Sequence, residues 1–289
     1  MLKGSITDLG TESWGAHVVV GSHGAVPTGL RALRCGVASL ICHDAGIGLE
    51  EAGVAALDLL GGHGVPAAAV SHDTARIGDP GDMLERGRLS RANQPAEGLG
   101  VVPGMTVREA RALLESTALR SDLPRRSLSE EGEFRRLYLE PTSDGGAGKN
   151  PPALVTILDS ASSVRDGDNG AIVVTGSHGG LPNNSSGKAL KARARLVAFN
   201  DAGIGIDMAG TRRLPVLAEL GVAAVCVLGD PAYYRRFGFR PERGIAPPYA
   251  LPEEWRGAWQ SCGCGEPATS LNCTVVVPAP WRREALWRP

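Results

Sequence analysis

A histidine and an aspartate at neighbouring strand ends form a general acid/base couple. The carboxylate fixes the imidazole tautomer and raises its basicity. This chain carries the ingredients twice. Residues 18–24 read Val-Val-Val-Gly-Ser-His-Gly, and residues 173–179 read Val-Val-Thr-Gly-Ser-His-Gly. Each is followed by Asp-Ala-Gly-Ile-Gly, at 44–48 and again at 201–205. His23 matches His178, and Asp44 matches Asp201. The first expectation is acid/base chemistry by His23 with Asp44, and by His178 with Asp201. Ser22 and Ser177 stand next to those histidines. A nucleophilic serine meets a histidine from a different segment, so either serine would need its base from another loop. The competing reading makes Ser-His-Gly a tight turn whose polar atoms satisfy strand-end backbone groups.

His43, His72 and Asp73 add a second possibility, since imidazole and carboxylate together suit a divalent metal. Such a site would belong to the first copy alone, because Asn200 replaces His43 and Gly229 replaces His72. Arg76 follows His72-Asp73 and could bind a substrate carboxylate through its planar fork. The alternative is an ion pair with Asp73 or Asp79. Gly46 and Gly48, with Gly203 and Gly205, open the segment after a strand, where phosphates dock and ligands bind. Asp44, Glu50 and Glu51 crowd the first of these turns and Asp201 and Asp207 the second, which repels phosphate. The third glycine of a dinucleotide fingerprint is missing at its spacing. These glycines equally permit a positive φ and close helix–strand packing.

The elements around these residues repeat as well. Gly21 and Gly176 lie 155 residues apart, and Asp44 and Asp201 lie 157 apart. Val65–Val70 matches Val222–Val227 at the same offset of 157. A period that long reads as a duplicated domain rather than a solenoid. In the first copy, Ala16–Val20, Ala38–Cys42 and Pro66–Val70 read as strands and Leu49–Leu60 as a helix. In the second, Ala171–Thr175, Leu196–Phe199 and Val222–Leu228 read as strands and Ile206–Leu220 as a helix that Pro215 should kink. Ile6–Leu9 and Leu154–Leu158 each add an apolar run. Strand, Gly-rich turn, helix and strand in that order predicts βαβ units on a parallel sheet. The strands are continuous apolar runs, as when both faces are buried. Ligands collect at the carboxyl ends of such strands, where both shared motifs fall.

The predicted organisation is a first α/β repeat over 1–100, a helical connector and linker over 101–152, a second repeat over 153–226 and a C-terminal segment over 227–289. At 289 residues, 43% hydrophobic and 21% charged, the chain can bury a sizeable core. A net charge of -1 argues against electrostatic nucleic-acid binding. No apolar run approaches the roughly 18 residues of a membrane span. The first residues lack a signal-peptide pattern. The expected compartment is the cytoplasm, with the six cysteines reduced. Cys262-Gly-Cys264 has no second Cys or His pair near it, so zinc is not expected there.

The last quarter reads differently. Val227-Leu-Gly-Asp-Pro-Ala-Tyr-Tyr-Arg-Arg-Phe-Gly-Phe-Arg-Pro241 resembles the final block of GNAT-type N-acetyltransferases. Val275–Trp281 and Leu286-Trp287 resemble the close of the same proteins. The likeness covers roughly residues 222–289. It implies acetyl-CoA as cofactor and Tyr233 or Tyr234 as the residue that protonates the leaving thiolate. The family's acetyl-CoA loop, Gln/Arg-x-x-Gly-x-Gly/Ala, has its nearest equivalent in Asn200–Gly205, with Asn first. The family's N-terminal strands are not recognisable.

The fold expectation is therefore α/β: two homologous parallel-sheet units from an internal duplication, the second completed by the GNAT-like segment. The leading functional expectation is a small-molecule enzyme with hydrolase- or lyase-type acid/base chemistry. The others are an acetyl-CoA-dependent N-acetyltransferase and a non-catalytic ligand-binding or scaffold protein. A homo-oligomer is compatible with each.

Overall fold

The structure is a computed structural model. It describes residues 1–116, 135–139, 153–185, 187, 189–200, 205–219, 224–228, 231–235, 238–247, 251–263 and 273–274. Two compact units are present. The first draws its residues from Met1–Glu131, Gly179–Lys188 and Ala202–Arg213, and the second from Gly132–His178, Ala189–Asp201 and Leu214–Pro289. Residues 179–188 and 202–213 thus belong to the first unit, although in sequence they follow strands of the second.

In the first unit the elements are β1 (Leu2–Lys3), β2 (His17–His23), α1 (Val26–Arg34), β3 (Ser39–His43), α2 (Ala56–Gly62), β4 (Ala67–Val70), α3 (Pro80–Arg86), β5 (Leu89–Ala92), α4 (Gln94–Glu97) and α5 (Val107–Glu115). The sheet order is β1-β2-β3-β4-β5, parallel up to β4 and antiparallel at β5. Successive side chains of a strand point to opposite faces. Val18, Val20, Leu40, Cys42, Ala67 and Ala69 accordingly pack with Leu57 and Leu60 of α2. Their neighbours Val19, Ile41, Ala68 and Val70 pack with Met83 of α3 and with Val107, Ala110 and Leu114 of α5. Helices on both faces bury the strands twice over, which explains their unbroken apolar runs.

The second unit carries β6 (Arg135–Leu139), β7 (Ala153–Leu158), β8 (Ile172–His178), β9 (Leu196–Asn200), all but the first residue of α6 (Arg213–Glu219), β10 (Ala224–Leu228), α7 (Pro231–Tyr234), β11 (Arg240–Pro241), β12 (Ile245–Ala246), β13 (Trp259–Gly263) and β14 (Cys273–Thr274). Its main sheet runs β11-β13-β10-β9-β8-β7-β6. Strands β7 to β10 are parallel; β6, β13 and β11 add antiparallel edges. The α/β class with parallel-strand sheets is as expected from the sequence.

Matching positions make matching bonds. The Ile6 amide donates to Ser22 Oγ and the Ala161 amide to Ser177 Oγ, both at 2.8 Å. Gly15 N–H donates to Gly36 O, and Gly170 N–H to Arg193 O. Ala56 N–H donates to Gly24 O, and Arg213 N–H to Gly179 O. Both sheets shift register just before the shared histidine, between Val19 and His23 in one and between Thr175 and His178 in the other.

The apolar run Ile6–Leu9 forms a 3-10 turn over Ile6–Asp8, closed by a capping box between Ser5 and Asp8, and the edge strand is Leu2–Lys3. Two expected elements differ. The helix expected over Leu49–Leu60 starts only at Ala56, because Glu50 and Glu51 adopt φ of 52° and 58°. The helix expected over Ile206–Leu220 is likewise split, with Asp207 and Met208 at 55° and 56°. Pro215 therefore falls at the third residue of α6, in a first turn that tolerates it, rather than mid-helix. The linker expected over 143–152 lies outside the described residues.

Candidate functional site

The strand order decides which groups meet. Strand β3 lies between β2 and β4, so Asp44, one residue beyond β3, stands among three strand ends. Its backbone N–H continues the ladder to Val70 O at 2.9 Å. Asp44 is 1% exposed. Its Oδ1 accepts three N–H groups, each at 3.0 Å: the Gly46 amide, the His72 amide and His72 Nδ1. A carboxylate oxygen engaged with two amides is an acceptor, so His72 Nδ1 carries a proton and Nε2 is the nitrogen left to gain or lose one. The His72 side chain is 32% exposed, and its Nε2 lies 3.5 Å from the exposed carboxylate of Asp73. A buried aspartate thus orients a partly exposed histidine whose second nitrogen faces the exposed Asp73 carboxylate, an arrangement that suits a general base.

His43 is 1% exposed and belongs to the framework. Its Nδ1 accepts from Ala45 N–H and its Nε2 donates to Ala75 O, both at 3.0 Å. Burial lowers its pKa, against the opposing pull of the Ala75 carbonyl and of Asp44. His23 stands in register beside His43. Burial, and the neighbouring His43, push its imidazole down to about 4. Cys42, buried under the same strand end, is pushed up to about 12 by burial and by Asp44, and is inert as a nucleophile. Among the described residues, no group of three or more His, Cys, Asp or Glu side chains gathers as a metal ion would need. Both nitrogens of His43 are already engaged.

These histidines set an acid limit on stability. Their folded-state pKa values lie below 6.5, so the unfolded chain binds more protons between pH 6.5 and the folded values. Stability is fully present above pH 6.5 and is lost as pH falls toward 4. Each histidine held neutral contributes a slope of up to about 1.4 kcal/mol per pH unit. The expected result is an unfolding midpoint that falls steadily from pH 7 to pH 4.5, less steeply in His43→Asn. A flat profile would contradict it.

The turn that carries Asp44 is strained. Ala45, Gly46, Ile47 and Gly48 all have positive φ, 51°, 75°, 68° and 73°. For a β-branched residue such as Ile47 this is a true outlier, of the kind that marks ligand and switch regions. The glycine amides serve the turn itself, Gly46 N–H to Asp44 Oδ1 and Gly48 N–H to Gly46 O. Gly53 then packs so closely that a Cβ would sit 2.6 Å from Asp44 O and 2.8 Å from Ile47 O.

Ser22 and Ser177 use Oγ to anchor upstream turns, through the bonds described above. His178 is buried and pairs in register with Asn200. Arg76 is engaged by carboxylates other than those expected: Nη1 is 3.1 Å from Asp82, Nη2 is 2.6 Å from Asp207, and Arg86 joins the same pair. Gly205 begins the segment that supplies Asp207, and Ile206 N–H donates to His72 O at 3.2 Å. Asp201 and Gly203 lie outside the described residues. Tyr234 is buried with its ring edge-on to Phe239, at a centroid distance of 5.4 Å. Tyr233 lies in α7, and residues 275–289 are outside the described part. Sequence reasoning named His72 as a metal ligand but not as the partner of Asp44. Its absence from the second copy was the available signal that it does something the first copy alone needs.

No protein-family model matches the chain, and the searches of curated proteins and of solved structures likewise find no match. Among the described residues, no helix is long and apolar enough to cross a membrane.

Proposed function

We propose that the protein is a small-molecule enzyme of hydrolase or lyase type, with Asp44 and His72 as its acid/base couple. One observation carries this reading: the 3.0 Å bond from His72 Nδ1–H to the buried Asp44 carboxylate, on a ring that is 32% exposed. In this mechanism His72 Nε2 removes a proton from a bound hydroxyl, water or carbon acid. Asp44 stabilises the imidazolium that forms and keeps Nε2 as the reacting nitrogen. His72 then returns the proton to the leaving group. Such a couple contributes about 10²–10⁴-fold in rate. We further infer that the two repeats descend from one duplicated unit, which the constant offsets of 155 and 157 and their matched hydrogen bonds support. On this reading the second copy, with Gly229 at the place of His72, is not itself a catalytic copy.

The test is a panel of chromogenic esters, amides and lactones and of β-elimination substrates, assayed with the intact protein and with His72→Ala. The expected result is at least one turnover that falls a hundredfold or more in the variant. Turnover indifferent to His72 would remove the proposal. A second reading, acetyl transfer from acetyl-CoA, rests on the tyrosine helix α7 standing just beyond β10. A rise in unfolding midpoint with free CoA, reduced in Tyr234→Phe, would move the assignment there.

A further inference from the structure

We infer that His43 is the positioning residue of this site, a neutral imidazole that bridges the two loops carrying Asp44 and His72; the inference rests on the Asp44–His72 reading. Two backbone groups fix its chemistry. Ala45 N–H can only donate, so Nδ1 is bare; Ala75 O can only accept, so Nε2 is protonated. The first bond anchors the residue that follows Asp44. The second anchors the loop that holds His72, three residues beyond it. One rigid ring therefore sets the spacing between carboxylate and base.

The first anchor bears on a backbone that needs holding. Ala45, at φ 51°, opens the left-handed run through Gly48. Its amide bond to His43 and the Gly46 amide bond to Asp44 are adjacent ties on that turn. The second copy provides an internal comparison. Where Gly229 stands in place of His72, Asn200 stands in place of His43, while Asp201 is kept. Asn200 occupies the matching end of β9, in register with His178 as His43 is with His23. Base and bridge are present together in one copy and missing together from the other.

Two substitutions separate the anchors. In His43→Asn the amide oxygen can still accept near the place of Nδ1, but nothing reaches Ala75. In His43→Gln the amide nitrogen can still donate near the place of Nε2, but the bond to Ala45 is lost. The readout is the ring ¹⁵N spectrum of His72, which reports its tautomer directly and which a change in overall stability alone does not move. The expected result is a single Nδ1–H form in the unaltered protein. In both variants the Nε2–H form should gain roughly fivefold to tenfold in relative population, the effect of one hydrogen bond of about 1 kcal/mol. Retention of the Nδ1–H form in both folded variants would overturn the inference. A measurement on the unaltered protein guards against variants that fail to fold. The amides of Ala45, Gly46 and His72 should exchange with solvent through one common opening, and exchange at Ala45 tenfold faster than at the other two would overturn the bridge. If the unaltered protein itself lacks a fixed Nδ1–H form at His72, the acid/base reading falls; if only the variants leave it unchanged, His43 alone loses its role.

Discussion

Asp44→Ala is expected to cost about 3–4 kcal/mol of stability and to lower the unfolding midpoint by roughly 10 °C. The carboxylate is buried, and a single oxygen serves the Gly46 amide, the His72 amide and His72 Nδ1. Truncation leaves these donors without their acceptor, at about 1–3 kcal/mol for each group that water cannot reach. It also releases a turn in which Ala45 and Ile47 hold positive φ. Asp44→Asn keeps an oxygen in place and should cost only about 1 kcal/mol, while still removing the charge that stabilises an imidazolium. Turnover should therefore fall in both variants and stability steeply in one. Denaturant unfolding of the pair checks this, and an Asp44→Ala protein as stable as its parent would be contrary to it.

Gly21→Ala is the second large effect. A Cβ there would stand 2.6 Å from Gly78 C, 2.7 Å from Gly78 Cα and 2.8 Å from Gly4 O, all backbone atoms. Backbone has no rotamer with which to yield, so the strand end and the loop ending at Gly78 must part. That separation also breaks the 2.9 Å bond from Gly78 N–H to Gly21 O. Overpacking costs about 1–3 kcal/mol, and the upper end is expected here. The matching residue, Gly176, meets only Asp159 O at 3.1 Å, and its alanine variant should cost about 1 kcal/mol. Gly62, at the end of α2 with open space around it, should gain up to about 1 kcal/mol as alanine. Thermal melts of the three variants should give that order; equal costs at Gly21 and Gly176 would contradict the packing described.

Much of the scaffold was legible from pattern. The apolar runs at 16–20, 38–42 and 66–70 became β2, β3 and β4 within one to three residues at either end, because strands buried on both faces admit little else. Helix α1 lies outside the repeated motifs, although Pro27 in its first turn and Arg31 and Arg34 in its last are ordinary start and stop signals. The helices after the Asp-Ala-Gly-Ile-Gly motifs began late because Glu50, Glu51, Asp207 and Met208 take positive φ, which no propensity scale foresees for such residues. The site was legible in its parts but not in its pairing. Asp44 was singled out by its repetition, yet spacing alone placed it no closer to His72 than to His23. The strand order and the fold-back of residues 71–73 settle the pairing, and both are tertiary facts. Arg76 shows the same limit: its partners Asp82 and Asp207 are 6 and 131 residues away.

The central claim is that Asp44 holds His72 as a base with its proton on Nδ1. The most direct measurement is the ring ¹⁵N and ¹H spectrum of His72 in the unaltered protein near neutral pH, compared with Asp44→Asn. The expected result is a protonated Nδ1 with a hydrogen-bonded proton resonance and a bare Nε2 in the unaltered protein, and loss of that fixed form in Asp44→Asn. A His72 ring that carries its proton on Nε2, or that averages between tautomers and ignores Asp44→Asn, would contradict the account.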